Sequence, residues 1–146
     1  RERTLTVLDL RANVAVDLVT AERIGGVTAS TDGSHVAYFI SFNEDEGRNG
    51  LWVQRADGSP PRKIDLWGAY QWRDGAHLLV IPARPSAEAA FEVLEVDADT
   101  GQVRPLTSAA VTPLYIANGD WRVSPDGKSI VYVNSADRNL WLLKLP

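Results

Sequence analysis

One recurring turn restricts the fold more than any other feature of the chain. Asp-Gly pairs fall at Asp32-Gly33, Asp74-Gly75 and Asp126-Gly127, spaced 42 and then 52 residues apart. Each pair is followed by a short run rich in Val, Leu, Ile and aromatics: "HVAYFIS" (35–41), "HLLVIPA" (77–83) and "SIVYVNS" (129–135). Such runs, bounded by Gly, Asp, Asn or Pro, are strand signals. Asp-Gly suits a tight hairpin, because Asp accepts hydrogen bonds from nearby backbone and Gly takes positive φ. Farther along come "GLWVQRA" (50–56), "FEVLEVD" (91–97) and "NLWLLKL" (139–145), which align as Leu51, Phe91 and Leu140, then Val53, Val93 and Leu142. The first two are followed by a tight turn and another short strand, "PRKIDL" (61–66) and "QVRPLT" (102–107). Each unit is strand, Asp-Gly turn, strand, longer loop, strand, tight turn, strand. That order and period fit a four-stranded propeller blade of roughly 40–50 residues.

Working backwards, "TLTVLDLRANVAVDLVT" reads as the third and fourth strands of an earlier blade, with Leu5 and Val7 in the Leu51 and Val53 positions. The expectation is thirteen strands: two within residues 1–26, full blades over 27–67 and 68–112, and a three-stranded final blade over 113–146. The helix-like "SAEAAFEV" (86–93) follows Pro82 and Pro85 and supports at most one turn within a loop. Both faces of the third strands are expected to be buried. Leu51, Val53, Leu140 and Leu142 point one way, and Trp52, Leu94, Trp141 and Leu143 the other. A half-exposed sandwich sheet would be polar on one side, whereas a blade is packed between neighbours. The fold class is therefore all-β, a propeller segment of about three four-stranded antiparallel blades. Closed rings take four to eight blades, so this ring is incomplete. Its unpaired edges predict head-to-tail self-association or completion by additional blades.

Residues Ser124, Pro125, Asp126, Gly127, Ile130, Tyr132, Leu140 and Trp141 resemble the propeller repeats of the TolB type and of the prolyl oligopeptidase family. The shared pattern is a "SPDG" turn, an apolar strand, and a third strand carrying "LW". Ser30, Asp32, Gly33, Val36, Tyr38, Leu51 and Trp52 match it too, with Thr31 replacing the proline. The middle unit departs from it, with "WRDG" at 72–75 and Phe91-Glu92 in place of Leu-Trp. The peptidase half of that family is absent from these residues, since they contain no G-x-S-x-G elbow. The resemblance implies a propeller, and with it a gating or docking module for a peptidase encoded elsewhere or a fragment of one.

Composition narrows the function classes. At 45% apolar and 23% charged residues the chain is globular rather than disordered. A net charge of −4 with no Lys/Arg block argues against nucleic acid as a partner. No apolar run approaches the roughly 20 residues of a membrane span. The absence of cysteine removes disulfides, thiolate nucleophiles and Cys-ligated metals, and leaves the compartment open. The chain lacks methionine and begins "RERTLTV", which points to a processed, trimmed or excised piece.

Side chains that could carry chemistry have plainer explanations. His35 and His77 occupy the same repeat position, and Ser129 holds it in the third unit, so they read as strand-start polar residues on a ring rather than a metal or catalytic pair. Asp32, Asp74 and Asp126 read as turn formers, as do Asp57-Gly58 and "DADTG" (97–101). The charged loop "NEDEGRNG" (43–50) lacks calcium-loop spacing and reads as a solvated hairpin tip. No catalytic residue, metal ligand or cofactor is assigned.

Propeller topology offers a better lead. Loops joining strand four to the next strand one emerge on the same face as loops joining strands two and three. That face would collect Trp67, Tyr70 and Tyr115 from inter-blade loops, with Glu44, Asp45, Arg48, Arg84 and Arg138 from intra-blade loops. Aromatics among charges of both signs suit protein or peptide recognition. The sequence thus reads as a non-enzymatic binding or scaffold module. Its alternatives are the substrate-gating propeller of a prolyl-oligopeptidase-like peptidase and, third, a propeller lyase or glycosidase.

Overall fold

The computed structural model describes residues 1–84 and 86–146; Pro85, taken above with Pro82 as the start of a loop, lies outside the described residues. The described residues form thirteen strands in four antiparallel sheets, an incomplete β-propeller. They divide into two compact units, residues 1–66 and 67–146.

In residues 1–66, β1 (Arg3–Asp9) and β2 (Val14–Ala21) form a hairpin. β3 (Ile24–Ala29), β4 (His35–Ile40), β5 (Gly50–Arg55) and β6 (Arg62–Ile64) form a four-stranded sheet in chain order. The sheet starts at Ile24 rather than residue 27, because β4 runs on to Ile40 and Ile24 pairs with it. Val36, Tyr38 and Ile40 from one face of β4 pack on Ala21, with Leu5, Val7, Leu18 and Val19 of the hairpin around them. The Tyr38 hydroxyl donates to Gln54 Oε1 at 3.0 Å, and Gln54 Nε2 donates to Ser59 O at 3.1 Å. This buried polar pair is satisfied, so it fixes β4 on β5 without leaving an orphaned group.

In residues 67–146, β7 (Gly68–Trp72), β8 (His77–Pro82), β9 (Leu94–Asp97) and β10 (Val103–Pro105) form a second four-stranded sheet. β11 (Ile116–Val123), β12 (Ser129–Asn134) and β13 (Leu140–Lys144) form a three-stranded one. Leu79, Ile81 and Val93 of the first meet Leu114, Ile116, Trp121, Ile130 and Tyr132 of the second in one core. Burying each such side chain stabilises the fold by roughly 1.5–3 kcal/mol. Gln71 clamps the inner strands together, donating to Trp121 O at 2.7 Å and accepting from Val123 N at 3.2 Å.

Two expectations about the third strands are corrected. First, β9 begins at Leu94, and its register matches that of β5: His77 pairs with Asp97 as His35 pairs with Arg55, and Leu79 with Glu95 as Ala37 with Val53. Val93, not Phe91, is therefore the counterpart of Leu51. Phe91 leaves the ladder because its N–H donates to Leu114 O at 2.7 Å. Second, burial on both faces holds on β5, with Leu51 and Val53 buried on one side and Gln54 buried and Trp52 half-buried on the other, but fails on β13, where Leu140, Trp141 and Leu142 are exposed. β13 is the edge of its sheet, so no strand shields it from beyond.

Candidate functional site

Hydrogen-bond register places several of the expected recognition residues at one end of residues 67–146. Gly68, where β7 starts, pairs with Pro82, where β8 ends. Ile116, where β11 starts, pairs with Asn134, where β12 ends. The Phe91–Leu114 bridge joins the β8–β9 connection to the segment before β11. Trp67, Arg84, Tyr115 and Arg138 all belong to these junctions.

Trp67 is 62% exposed although its carbonyl accepts from Ala83 N at 2.7 Å. Tyr115 is 37% exposed, and its carbonyl accepts from Ser135 N at 2.8 Å. Arg84 lies 4.2 Å over the Phe91 ring and donates to Ala87 O at 2.8 Å. Arg138 is exposed and holds a left-handed backbone (φ 62°), with its N–H donating to Asn134 O at 2.8 Å. Tyr70 is a correction. It sits inside β7 opposite Val80 rather than in a loop, half-buried, with burial pushing its hydroxyl up to about 12. The strand starts early because Gly68 lets the backbone lie against β8: a Cβ there would come 2.0 Å from Ile81 O.

Glu44, Asp45 and Arg48 belong to residues 1–66, in the β4–β5 connection. Asp45 caps a single 3₁₀ turn, Glu46–Arg48, by accepting from Gly47 N at 3.0 Å. The Arg48 guanidinium donates to Thr20 O at 2.7 Å, and its carbonyl accepts from Trp52 Nε1 at 2.8 Å. Glu44 is exposed. The loop's polar groups largely close on one another, as a hairpin tip does.

At the opposite strand ends the aspartates serve their turns. Asp32 accepts from the backbone and hydroxyl of Ser34 and from the Ser30 hydroxyl, which lowers its carboxyl to about 2. Asp126 does the same with Ser124 and Lys128 N. The middle turn differs, as its sequence does. Asp74 accepts from Ala76 N, His77 N and the His77 ring (Nδ1 2.9 Å away), while His77 Nε2 lies 4.0 Å from Asp97. His35, by contrast, is buried with Nδ1 2.8 Å from Ser34 Oγ.

Beside that middle turn lies a cluster that sequence reasoning missed. Arg73 bonds to the buried Glu95 carboxylate, donates to Gly127 O at 2.9 Å and to Pro146 O at 2.8 Å. Arg104 donates to the other Glu95 oxygen at 2.5 Å. Burial alone would raise the Glu95 pKa, but the two arginines outweigh it and hold it lowered. The cluster lines a shallow depression with His77 and Lys128. The available signal was Glu95 itself, an acid at the repeat position that the apolar Val53 and Leu142 hold. Among the described residues, no group of three or more His, Asp, Glu or Cys side chains is placed to hold a metal ion.

No protein-family model matches the sequence, and no curated protein does. Solved structures do match by fold. An oligogalacturonate lyase in complex with manganese superposes with a TM-score of 0.52 at 16% identity, covering 95% of this chain and 53% of that one. TolB from Acinetobacter baumannii superposes with a TM-score of 0.51 at 17% identity, covering 98% of this chain and 38% of that one. The chain thus spans about half of the first protein and less than half of the second. Both neighbours are β-propellers, and the likeness is one of fold.

Proposed function

We propose that the chain is a non-enzymatic binding module, part of or assembling into a full propeller, that holds a protein or peptide at the loop-bearing end of residues 67–146. Trp67 carries this reading. Its backbone is tied to Ala83, yet the residue stays 62% exposed. An ordered indole in water is the kind of anchor that dominates binding energy at interfaces. Tyr115 adds a second aromatic at that end, and Arg84 and Arg138 bring charge. Glu44, Asp45 and Arg48 form a separate charged tip within residues 1–66. The acids beside the shallow depression support a binding role rather than catalysis: Asp74, Asp97 and Asp126 accept from their own turns, and two arginines neutralise Glu95.

The test is a phage-displayed peptide library panned on the wild-type chain, with selected peptides then measured against Trp67→Ala and Tyr115→Ala. Trp67→Ala should keep its melting temperature, since exposed substitutions usually change stability by less than about 0.5 kcal/mol. It should weaken the peptides by roughly 30-fold, the loss of about 2 kcal/mol that marks an anchor. Wild-type affinity in both variants would overturn the reading, and so would a fold that collapses when Trp67 is removed.

A further inference from the structure

Register extends the proposed recognition positions to a repeat that sequence reasoning left out. Arg23, Trp67 and Tyr115 each stand directly before the first strand of a sheet. In each case the carbonyl accepts from the N–H directly after the second strand: Ser41 at 3.3 Å, Ala83 at 2.7 Å and Ser135 at 2.8 Å. Arg23 is thus the counterpart of Trp67, and Phe42, next after Ser41, is the counterpart of Arg84. The aromatic and the arginine have changed places, and in residues 1–66 they touch: the Arg23 guanidinium lies 4.8 Å over the Phe42 ring. Both residues are exposed, Phe42 at 76%. Phe42 also holds a left-handed backbone, φ 55°, which a bulky residue rarely adopts. Its neighbours fix it there. Ser41 N is tied to Arg23 O, Asn43 N donates to Asn49 Oδ1 at 2.8 Å, and Asn49 Nδ2 donates back to Asn43 O at 3.2 Å. A phenyl ring held in water on a strained backbone contributes little to packing, and strain of this kind collects at binding sites.

We propose that Arg23 and Phe42 form a binding site of their own within residues 1–66, for a peptide that carries a carboxylate next to an aromatic side chain. The choice of a peptide rests on the reading of Trp67 above; the choice of a carboxylate does not. Among the described residues the Arg23 guanidinium has no hydrogen-bond or ion-pair partner, only the ring beneath it. Arg48, in the same connection as Phe42, already donates to Thr20 O. Glu22 and Glu44 are close in sequence, yet neither pairs with Arg23: Glu22 lies 3.9 Å from the Arg1 amino nitrogen, and Glu44 is exposed. Resting on the ring restricts the guanidinium, so less freedom is lost when its fork closes on a carboxylate through two parallel bonds. The open part of the Phe42 ring meanwhile gives an aromatic side chain a surface to stack on. A neutral peptide would leave the guanidinium unanswered.

The test is a nitrogen-15 NMR titration of the 146-residue chain with the peptide acetyl-Glu-Trp-Glu amide, following the Arg23 side-chain N–H and the Arg23 and Phe42 backbone N–H signals. One arginine and one ring make a small contact, so these signals should shift and saturate with a dissociation constant on the order of 1 mM. The matched peptide acetyl-Gln-Trp-Gln amide should bind about tenfold more weakly, the worth of one charge-assisted bond. Arg23→Gln should remove that difference between the two peptides. Phe42→Asn should abolish the shifts while the melting temperature holds or rises, because Asn accepts the left-handed backbone that strains Phe. Arg23 and Phe42 signals that stay still up to about 10 mM acidic peptide overturn the proposal. If the signals of Trp67 and Tyr115 move in their place, the reading of residues 67–146 survives that failure. Equal affinity for the two peptides overturns the proposal as well. So does a melting temperature that falls in Phe42→Asn, because the ring would then be a packing element.

Discussion

Arg73 stands where Thr31 and Pro125 stand in the other two repeats, and that single exchange changes what the turn can do. A proline or threonine there shapes only its own loop. An arginine reaches β9 through Glu95, the β11–β12 turn through Gly127, and the end of the chain through Pro146. Without Arg73 the buried Glu95 keeps only the more exposed Arg104, and losing the buried partner costs about 3 kcal/mol. Arg73→Ala should accordingly lower the melting temperature by roughly 6–12 °C. Arg104→Ala, on the more exposed partner, should cost less than about 1 kcal/mol. The Glu95 carboxyl titrates lower in the fold than in the unfolded chain, so its contribution is present above the ordinary glutamate pKa and is lost as pH falls through the folded value. The melting-temperature gap between wild type and Glu95→Gln should be widest near neutral pH and should shrink as the pH falls below the ordinary glutamate range. A gap that widens in acid would mean that the arginines do not govern this carboxylate.

Strands were legible wherever a continuous apolar run directly followed an Asp-Gly turn. β4 and β8 are continuous apolar runs behind an Asp-Gly turn, and they pair where their sequence predicts. β9 is shifted by two residues from its sequence alignment, because Phe91 and Val93 extend the alternation of "FEVLEVD" without joining its ladder. Phe91 N bonds to Leu114 O, and Val93 N bonds to Thr107 Oγ1 at 2.9 Å. No local pattern announces a partner that distant. The same limit hid the charged cluster, since residues 73, 95 and 104 meet only once the β8–β9–β10 register is correct. The proposed recognition end was easier, because strand order alone sends Trp67, Arg84, Tyr115 and Arg138 to one set of junctions; Tyr70 is lost from it because β7 begins at Gly68. That start is testable. Gly68→Ala would drive a Cβ into Ile81 O and to 2.7 Å from Pro82 Cα, both backbone atoms that cannot swing aside. Urea unfolding should show a loss of about 3 kcal/mol or more. Gly25→Ala, where nothing lies within 4 Å of the added methyl, should stay within about 0.5 kcal/mol.

Across the whole molecule, protection should follow the number of layers and strands around each element rather than its intrinsic strand propensity. β4 and β8 are interior strands of four-stranded sheets, with nearly every side chain buried. β13 has comparable apolar composition, "LWLLK", yet sits at an edge with Leu140, Trp141 and Leu142 in water. The β1–β2 hairpin has only two strands and exposes most of its residues. Local opening needs little free energy where few buried contacts must break, and most where both neighbours and both faces must part. Native-state hydrogen exchange should find β4 and β8 amides protected at least about 100-fold more than those of β1 and β13, a difference of about 2.7 kcal/mol. If β13 exchanged as slowly as β8 under those conditions, its apolar residues would have to be covered within a single chain, and the sheet's outward face could not be the open layer that its exposure describes.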